Sequence, residues 1–275
     1  MKRKEFLLLN EWPEHKSPLV IPKLFQPKFS NDILTYGVWP LYFDIYYGDK
    51  EPILNDKRII PHVISWYRKS DTGVTKKKYS WFGGNTGPRN KIGILHYAPL
   101  DEVPYYHDWA RTTKKERAKW LRGVYKETYD VEEIDIHNFI ELYKKSFSYK
   151  KNRSAGMLMS RDAETRSAFK SCRGTILKDK GTGKVVAGLL SESSYSSGNS
   201  YYSIGFTMDK AGSSDLSLFL IVEWIEREIP LGIEHFNFGA FWQEGKPESW
   251  KGFSFFKSKF GVTYYDLPPV LTRFA

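Results

Sequence analysis

The strongest constraint on the fold is the order of helix-like and strand-like segments in the second half of the sequence. Three strand-like segments follow one another, at residues 174–178, 184–193 and 200–208. Glycines in a turn at 180–183 join the first two as a hairpin. Helix and strand then alternate, over residues 214–228, 235–240, 248–260 and 262–270. This order predicts an α/β (α+β) fold, with a mixed sheet flanked by helices.

The first half of the chain has a different pattern, rich in β-branched and aromatic residues and punctuated by proline. It predicts strands at residues 38–47, 59–68, 77–82 and 92–97. A helical stretch follows, in which Thr113 is expected to cap one helix and Asp135 a second; another helix is predicted over 161–170. We therefore predict a strand-rich lobe over 1–110, a helical linker over 111–134 and an α/β domain over 135–275.

The charge balance favours an acidic partner, because 42 Lys and Arg stand against 32 Asp and Glu, a net charge of +10. Two basic runs, at 144–153 and 68–78, hold much of the excess. They are typical either of a solvated face or of a track for a phosphate-bearing ligand. Nucleic acid, an acidic carrier protein or peripheral contact with a membrane surface would each fit.

Other classes of protein are excluded by what the sequence lacks. Cys172 is the single cysteine, so no intrachain disulfide and no cysteine-rich zinc site is expected. The histidines show no metal-ligand spacing, and we expect no bound metal. No apolar run approaches the roughly 18 residues of a membrane span. We therefore expect a cytoplasmic protein without a covalently bound cofactor.

Four motifs between residues 117 and 261 occur in an order that resembles a known family. They are RAKWLRGVY at 117–125, DIHNFIELYKKSF at 135–147, LGIEHFNFG at 231–239 and FKSKFG at 256–261. The combination resembles the FemABX-like branch of the GNAT acyltransferase superfamily. The resemblance covers about residues 113–275 and extends weakly to the first 105 as a degenerate first GNAT-like lobe.

The resemblance implies transfer of an acyl or aminoacyl group to a small-molecule or peptide amine. Members of the branch use aminoacyl-tRNA, CoA thioesters or acyl-carrier protein as donors. The donor would lie in a gap between the strands at 200–208 and 235–240. Main-chain N–H groups at Ser203 and Gly205 would then polarise its carbonyl. Lys257, in FKSKFG, would stabilise charge near the transferred group; the alternative is a lysine on an amphipathic helix face.

The start of the helix at 214–228 is a second candidate for donor binding. Gly212, Ser213 and Ser214 stand where free N–H groups favour an anion, although a simple serine cap is the alternative interpretation. The glycine-rich phosphate loop of CoA-dependent GNAT enzymes is missing at 209–215. The sequence therefore favours a donor borne by a carrier, such as tRNA or acyl-carrier protein, over free CoA.

The remaining candidates come from positions on or after the central strands. His235 and Glu192 are candidates for the general base, and Tyr202 could place a phenol at the leaving group. Trp242, Gln243 and Glu244 follow the strand at 235–240 and are expected to line the acceptor mouth. Packing or surface roles remain the alternative for each.

These features predict an N-acyltransferase that uses an activated thioester or ester. Two alternatives stay open. One is an aminoacyl-tRNA-dependent ligase of FemABX type, and the other is a catalytically inactive GNAT-like module that binds nucleic acid or an anionic surface.

Overall fold

The computed structural model describes part of the chain. The described residues are 28–30, 33–38, 41–47, 62–67, 82–83, 91–96, 123–167, 171–195, 198–209, 213–244, 248, 250–266 and 271–274. The chain divides into two compact units, residues 1–92 with 265–275 and residues 93–264.

A six-stranded sheet occupies the first unit. Its strands are β1 (Lys28–Ser30), β2 (Ile33–Val38), β3 (Leu41–Tyr47), β4 (His62–Tyr67), β5 (Phe82–Gly83) and β13 (Leu271–Phe274). They lie in the order β1-β2-β3-β4-β13-β5. The β3–β4 pair is parallel, and the other pairs are antiparallel. The carboxyl-terminal strand β13 therefore completes a sheet built mainly from the first part of the chain.

A second, seven-stranded sheet carries the features on which function depends. Its strands are β6 (Lys91–His96), β7 (Tyr129–Ile134), β8 (Ser171–Asp179), β9 (Val185–Ser194), β10 (Asn199–Thr207), β11 (His235–Ala240) and β12 (Thr263–Asp266). Their order is β12-β6-β11-β10-β9-β8-β7. Strands β7 to β10 pair antiparallel, and β10 pairs with β11 in parallel.

The described helices are α1 (Val124–Thr128), α2 (Ile136–Lys145), α3 (Phe147–Lys151), α4 (Arg153–Arg166), α5 (Ser213–Glu228) and α6 (Trp250–Ser258). Asp135 caps α2, because its Oδ1 accepts hydrogen bonds from the main-chain N–H groups of His137 at 2.9 Å and Asn138 at 3.0 Å. After α5, a short 3₁₀ turn ends at Gly232, whose φ of 87° places it in the left-handed region.

Helices α2 and α5 cover opposite faces of the second sheet. Phe139 of α2 belongs to a buried cluster with Leu190 of β9, whereas Trp224 of α5 belongs to another with Leu189. Successive side chains of a strand point to opposite faces, so neighbouring leucines of β9 reach the two helices. Each such buried side chain contributes roughly 1.5–3 kcal/mol. The sheet between them is thus a buried central layer.

The main sequence predictions for the second sheet are confirmed. The three consecutive antiparallel strands, the parallel strand after α5 and the cap at Asp135 are present, and the α/β (α+β) class with a mixed sheet is correct. The hairpin turn at 180–183 contains Gly183 at φ 66°, which explains the requirement for glycine there.

Three element predictions need correction. The last strand, predicted over 262–270, is two strands, β12 and β13, in different sheets; Pro268 and Pro269 stand between them and supply no ladder N–H. The helix predicted over 161–170 begins at Arg153, and Gly156 inside it allows close contact, because a Cβ there would lie 2.6 Å from the Tyr149 ring. The predicted strand over 92–97 is β6 and belongs to the second sheet.

Strand β7 was not predicted at all. Its sequence, YDVEEI, lies at the edge of the sheet with half of its residues exposed and none fully buried, and it carries little apolar signal. It is instead matched by charge across the pair, with Lys178 Nζ 2.5 Å from Glu132 and Arg173 3.6 Å from Glu133. The predicted cap at Thr113 and the first turns of its helix lie outside the described residues.

Candidate active site

A cleft opens between strands β10 and β11. The two strands pair only over their first three residues, Asn199 with His235, Ser200 with Phe236 and Tyr201 with Asn237. Beyond that point β10 continues to Thr207 and β11 continues to Ala240. Over these described residues the two strands do not pair with each other. The central sheet is therefore closed at one end of this pair and splayed at the other.

A bulge at Ser203 turns β10 away from its regular path. The register of β10 against β9 shifts between Tyr202 and Ile204. The shift also reverses the faces: Tyr202 lies against Trp224 of α5, whereas Ile204 and Phe206 join the buried cluster under α2. Without a bulge, residues 202, 204 and 206 would share one face. A bulge of this kind bends its strand and increases its twist, which opens the cleft on the β10 side.

A kink at Gly239 bends β11 on the other side of the cleft. Gly239 has a φ of 72°, which side chains other than glycine rarely adopt. Its main-chain N–H donates to the Asn237 side chain at 2.7 Å. A Cβ at Gly239 would also lie 2.9 Å from the Tyr201 hydroxyl. The splay is therefore built into both strands.

The Tyr202 side chain lies along β10 at the start of the cleft. A Cβ at Gly205 would lie 1.8 Å from its hydroxyl oxygen, so the absence of a side chain at Gly205 makes room for the phenol. Its ring stacks on Phe238 of β11 with centroids 6.5 Å apart. Burial, with the neighbouring phenol of Tyr143, raises the pKa of Tyr202 far above its ordinary value. The Tyr202 hydroxyl therefore stays protonated at neutral pH and can donate a hydrogen bond.

The Lys257 side chain of α6 reaches both diverging strands. Its ammonium group donates to the main-chain carbonyl of Phe238 on β11. The same nitrogen lies 5.1 Å from the centroid of the Tyr202 ring on β10 and 5.1 Å from that of Phe253. Aromatic faces attract a cation at these distances. Lys257, which the family resemblance predicts to stabilise charge, therefore holds a positive charge beside the cleft.

The segment that follows β11 packs against α6, the helix that carries Lys257. The main-chain N–H of Trp242 donates to Ser254 of α6 at 2.6 Å, and Lys251 lies 4.3 Å from the centroid of the Trp242 ring. Gln243 is half-buried and Glu244 is exposed. These three residues therefore stand next to the helix that carries Lys257.

The structure does not bring His235 and Glu192 together with Lys257. His235 belongs to the first, closed pair of β10 and β11, about 10 Å along the strand from Phe238 at ~3.3 Å per residue. Its Nδ1 lies 2.8 Å from Nδ1 of His96. Glu192 is fully buried between Ser191 and Ser193, which both contact the α5 side of the sheet. Its side chain therefore points to the face opposite α5.

The open end of β10 is bordered by a basic helical segment. The main-chain N–H of Phe147 donates to Met208 at 3.3 Å, and Thr207 donates its N–H to Ser148 at 3.4 Å. Exposed lysines and an arginine follow directly at Lys150, Lys151 and Arg153. One of the two basic runs is therefore fixed beside the cleft. The other, at 68–78, lies outside the described residues.

The amino end of α5 is only partly described. The helix begins at Ser213, so its first main-chain N–H groups include those of Ser213 and Ser214. Gly212 lies outside the described residues.

Sequence reasoning missed the residues that shape the cleft. Asn237 was not singled out, and Gly239 was noted only as the end of the motif at 231–239, although a glycine inside a strand is a known signal for a bulge or kink. Within the described ranges, no three His, Cys, Asp or Glu side chains are arranged to hold a metal ion. In the same ranges, no helix is long and apolar enough to cross a membrane.

The architecture is similar to that of several solved structures. FemX matches with a TM-score of 0.60 and 10% sequence identity, covering 98% of this chain and 94% of its own. L-PGS from Bacillus licheniformis matches with a TM-score of 0.51 and 17% identity, covering 87% of this chain and 79% of its own. A tandem GNAT protein from the clavulanic acid biosynthesis pathway gives a TM-score of 0.44 at 9% identity, covering 88% of this chain and 78% of its own.

No family model and no curated protein matches the sequence. The likeness is therefore one of structure, and at these identities it concerns the fold. The chain has a GNAT/FemABX-like fold.

Proposed function

We propose that this chain, with its GNAT/FemABX-like fold, is an N-acyltransferase that moves an acyl or aminoacyl group from an activated donor to an amine. The observation that carries the proposal is the splayed β10–β11 pair with the Lys257 ammonium beside it. A cleft of this kind admits an extended thioester or ester between two strands. Main-chain N–H groups of the open edge of β10, from Ser203 to Gly205, would polarise the donor carbonyl.

The reaction that fits this arrangement is a direct attack of the amine nitrogen on the carbonyl carbon. A C–N bond forms and the C–S or C–O bond to the carrier breaks. Lys257 would stabilise the negative charge that develops on the carbonyl oxygen, and the protonated Tyr202 would donate to the leaving sulfur or oxygen. The amine proton would leave through water, because His235 and Glu192 lie away from Lys257.

The acceptor would enter past the segment that follows β11. Trp242 offers an aromatic wall, Gln243 a hydrogen-bonding amide and Glu244 a carboxylate that attracts a positively charged amine. These groups suit a small-molecule amine or the amino group of a peptide. A cytoplasmic location is part of the same proposal, because the donors considered are made there.

A donor borne by a carrier fits the charge distribution better than free CoA. Lys150, Lys151 and Arg153 are exposed beside the open end of β10. A polyanionic carrier could contact them while its acyl end lies in the cleft. Aminoacyl-tRNA is such a carrier, so the basic segment favours the ligase of FemABX type as the second candidate; acyl-carrier protein is the other carrier of this kind.

The proposal is tested by identifying what the protein carries and transfers. Mass spectrometry of the purified protein should detect a bound thioester, nucleotide or RNA. The protein is then incubated with acetyl-CoA, acyl-carrier protein or aminoacyl-tRNA and a mixture of amines, and acylated amines are measured. Product that depends on Lys257 supports the proposal. Salt-dependent RNA binding without any product from these donors would favour the inactive binding module instead.

A further inference from the structure

Helix α6 presents a stripe of one aromatic residue between two lysines. Lys251 and Phe255 lie in the helix, and Lys259 lies in the turn directly after it. Because the three residues are spaced four apart, they share one face. The Phe255 side chain is 68% exposed, the largest exposure among the exposed large apolar residues of the described chain. Next to these three residues, Ser254 and Phe260 are buried. We name the three residues Lys251, Phe255 and Lys259 the α6 stripe.

The lysines hold their ammonium groups close to aromatic rings. Lys259 lies 5.3 Å from the centroid of Phe255, and Lys251 lies 4.3 Å from that of Trp242. Phe253 lies on the side of the helix that carries Lys257 and is 37% exposed. The sequence from 250 to 262 contains three lysines and no acidic residue. Glu248 pairs with Lys251 at 2.7 Å, in an exposed contact that salt and competing anions weaken.

We propose that the α6 stripe is a docking surface for an anionic lipid bilayer. Exposed aromatic side chains insert into the boundary between headgroups and acyl chains, and long lysine stems let the ammonium groups reach the phosphates. Phe255 is placed to insert, while Lys251 and Lys259 flank it at the level of the headgroups. The net charge of +10 brings the whole protein towards a negative surface.

The same geometry argues against a nucleic acid as the occupant of this surface. Base stacking needs an open ring face. Here ammonium groups lie over the rings of Phe255 and Trp242, and a third, from Lys257, lies 5.1 Å from the centroid of Phe253. Insertion into lipid needs no open ring face, because the flexible lysine stems let the ammonium groups move to the phosphates. A second copy of the chain is also less suitable, because it would bring like-charged lysines together.

The test is vesicle flotation with the full chain, without donor or acceptor. Vesicles of phosphatidylcholine alone are compared with vesicles that also contain phosphatidylglycerol. The protein should float with the mixed vesicles at low salt and dissociate from them as salt rises. Phe255→Ser should weaken binding about tenfold, and Phe255→Trp should retain it. Replacing Lys251 and Lys259 together by glutamine should flatten the salt dependence.

A matched control removes an exposed apolar side chain elsewhere. Leu231 is 44% exposed after α5, and Leu231→Ser should float like the unchanged protein. Failure of the unchanged protein to float, or equal binding of Phe255→Ser, would overturn the proposal. The proposal would also be overturned if Phe255→Ser lost RNA binding or dimer formation but still bound vesicles normally. The inference goes beyond the proposed function, and its assay needs no turnover, so either can fail alone.

Discussion

The ammonium group of Lys257 is bonded to the main-chain carbonyl of Phe238, one residue past the last pair between β10 and β11. A lysine from a helix thus meets the strand where its ladder with β10 has ended. The contact fixes a positive charge near the point at which an inserted donor carbonyl would lie. Lys257 therefore has two roles that can be tested separately, as the donor of this hydrogen bond and as a positive charge.

Replacing Lys257 should lower turnover more than stability. We expect Lys257→Ala to lose roughly tenfold to a thousandfold in turnover, the range for a lost charge-stabilising contact. Lys257→Gln keeps a donor for Phe238 but carries no charge, so it should fold normally and remain slow. Circular dichroism melting and acyl-transfer rates measure the two effects. Lys184→Ala, an exposed lysine in the β8–β9 turn, is the control. Full activity in Lys257→Gln would contradict the role in charge stabilisation.

Gly205 should be intolerant of alanine because of Tyr202. The new Cβ would lie 1.8 Å from the phenol oxygen, so the ring must move, at a cost of about 1–3 kcal/mol. Combining Gly205→Ala with Tyr202→Phe removes the closest atom, and the two effects should be less than additive. Urea denaturation of the four proteins measures the coupling.

The matched control for Gly205 is Gly252. It lies in α6 with no atom within 4 Å of its added Cβ. Gly252→Ala should therefore stabilise the protein by about 0.5–1 kcal/mol, since alanine restricts the unfolded chain. Equal effects at the two glycines would show that the Tyr202 contact does not determine the cost.

The elements of the second sheet were predictable because their signals are local. Alternating side chains, the glycine turn at 180–183 and the cap at Asp135 act over a few residues, and the strands predicted at 174–178, 184–193, 200–208 and 235–240 were found. Strand β7 escaped because an exposed edge strand is held by pairing and ion pairs rather than by apolar alternation. Its matching charges lie on β8, some forty residues along the chain.

The position of the cleft was predictable from the sequence, but the features that open it were not. Strand order located the gap between β10 and β11, and the FKSKFG motif singled out Lys257. The bulge at Ser203 depends on the register with β9, which no local pattern reports. The kink at Gly239 depends on the Asn237 side chain and on the Tyr201 ring. For the same reason, the sheet faces of the candidate bases could not be assigned from sequence.

The cap at Asp135 should give a stability that depends on pH. Hydrogen bonds from the main-chain N–H of Asn138, from its side chain and from the main-chain N–H of His137 hold the pKa of Asp135 below its ordinary value of 3.8. Because the pKa is lowered in the folded state, the stabilisation is complete above the unfolded pKa and disappears as the pH falls through the folded one. Asn caps helices about as well as Asp but does not titrate there.

The free energy of unfolding of the unchanged protein, relative to Asp135→Asn, should therefore stay constant above about pH 5 and decline towards pH 3. Asp135→Ala removes the cap and should be less stable than Asp135→Asn at every pH. Denaturant titrations across this range measure the difference. A constant difference down to pH 2 would mean that the carboxylate does not stabilise the helix.

The donor should be recognised through its carrier, with α3 as the contact. Two hydrogen bonds fix α3 to the end of β10, so Lys150 and Lys151 stand beside the open cleft. The segment at 209–215 lacks the glycine-rich loop that wraps the pyrophosphate of CoA, and Asp215 adds a negative charge to the first turn of α5. Free CoA thioesters therefore lack a compact cradle, whereas a long anionic carrier gains contacts with α3.

Calorimetry at several salt concentrations should then show weak binding of acetyl-CoA and tighter, strongly salt-dependent binding of aminoacyl-tRNA or acyl-carrier protein. For the tRNA, Lys150→Gln with Lys151→Gln should reduce the slope of log affinity against log salt by about 1.4, the value for two lost contacts to a single strand. Lys180→Gln with Lys184→Gln removes the same charge from the β8–β9 turn and should leave the slope unchanged. Tight, salt-insensitive binding of acetyl-CoA would refute the carrier hypothesis, because an affinity of that kind requires a cradle for the free cofactor.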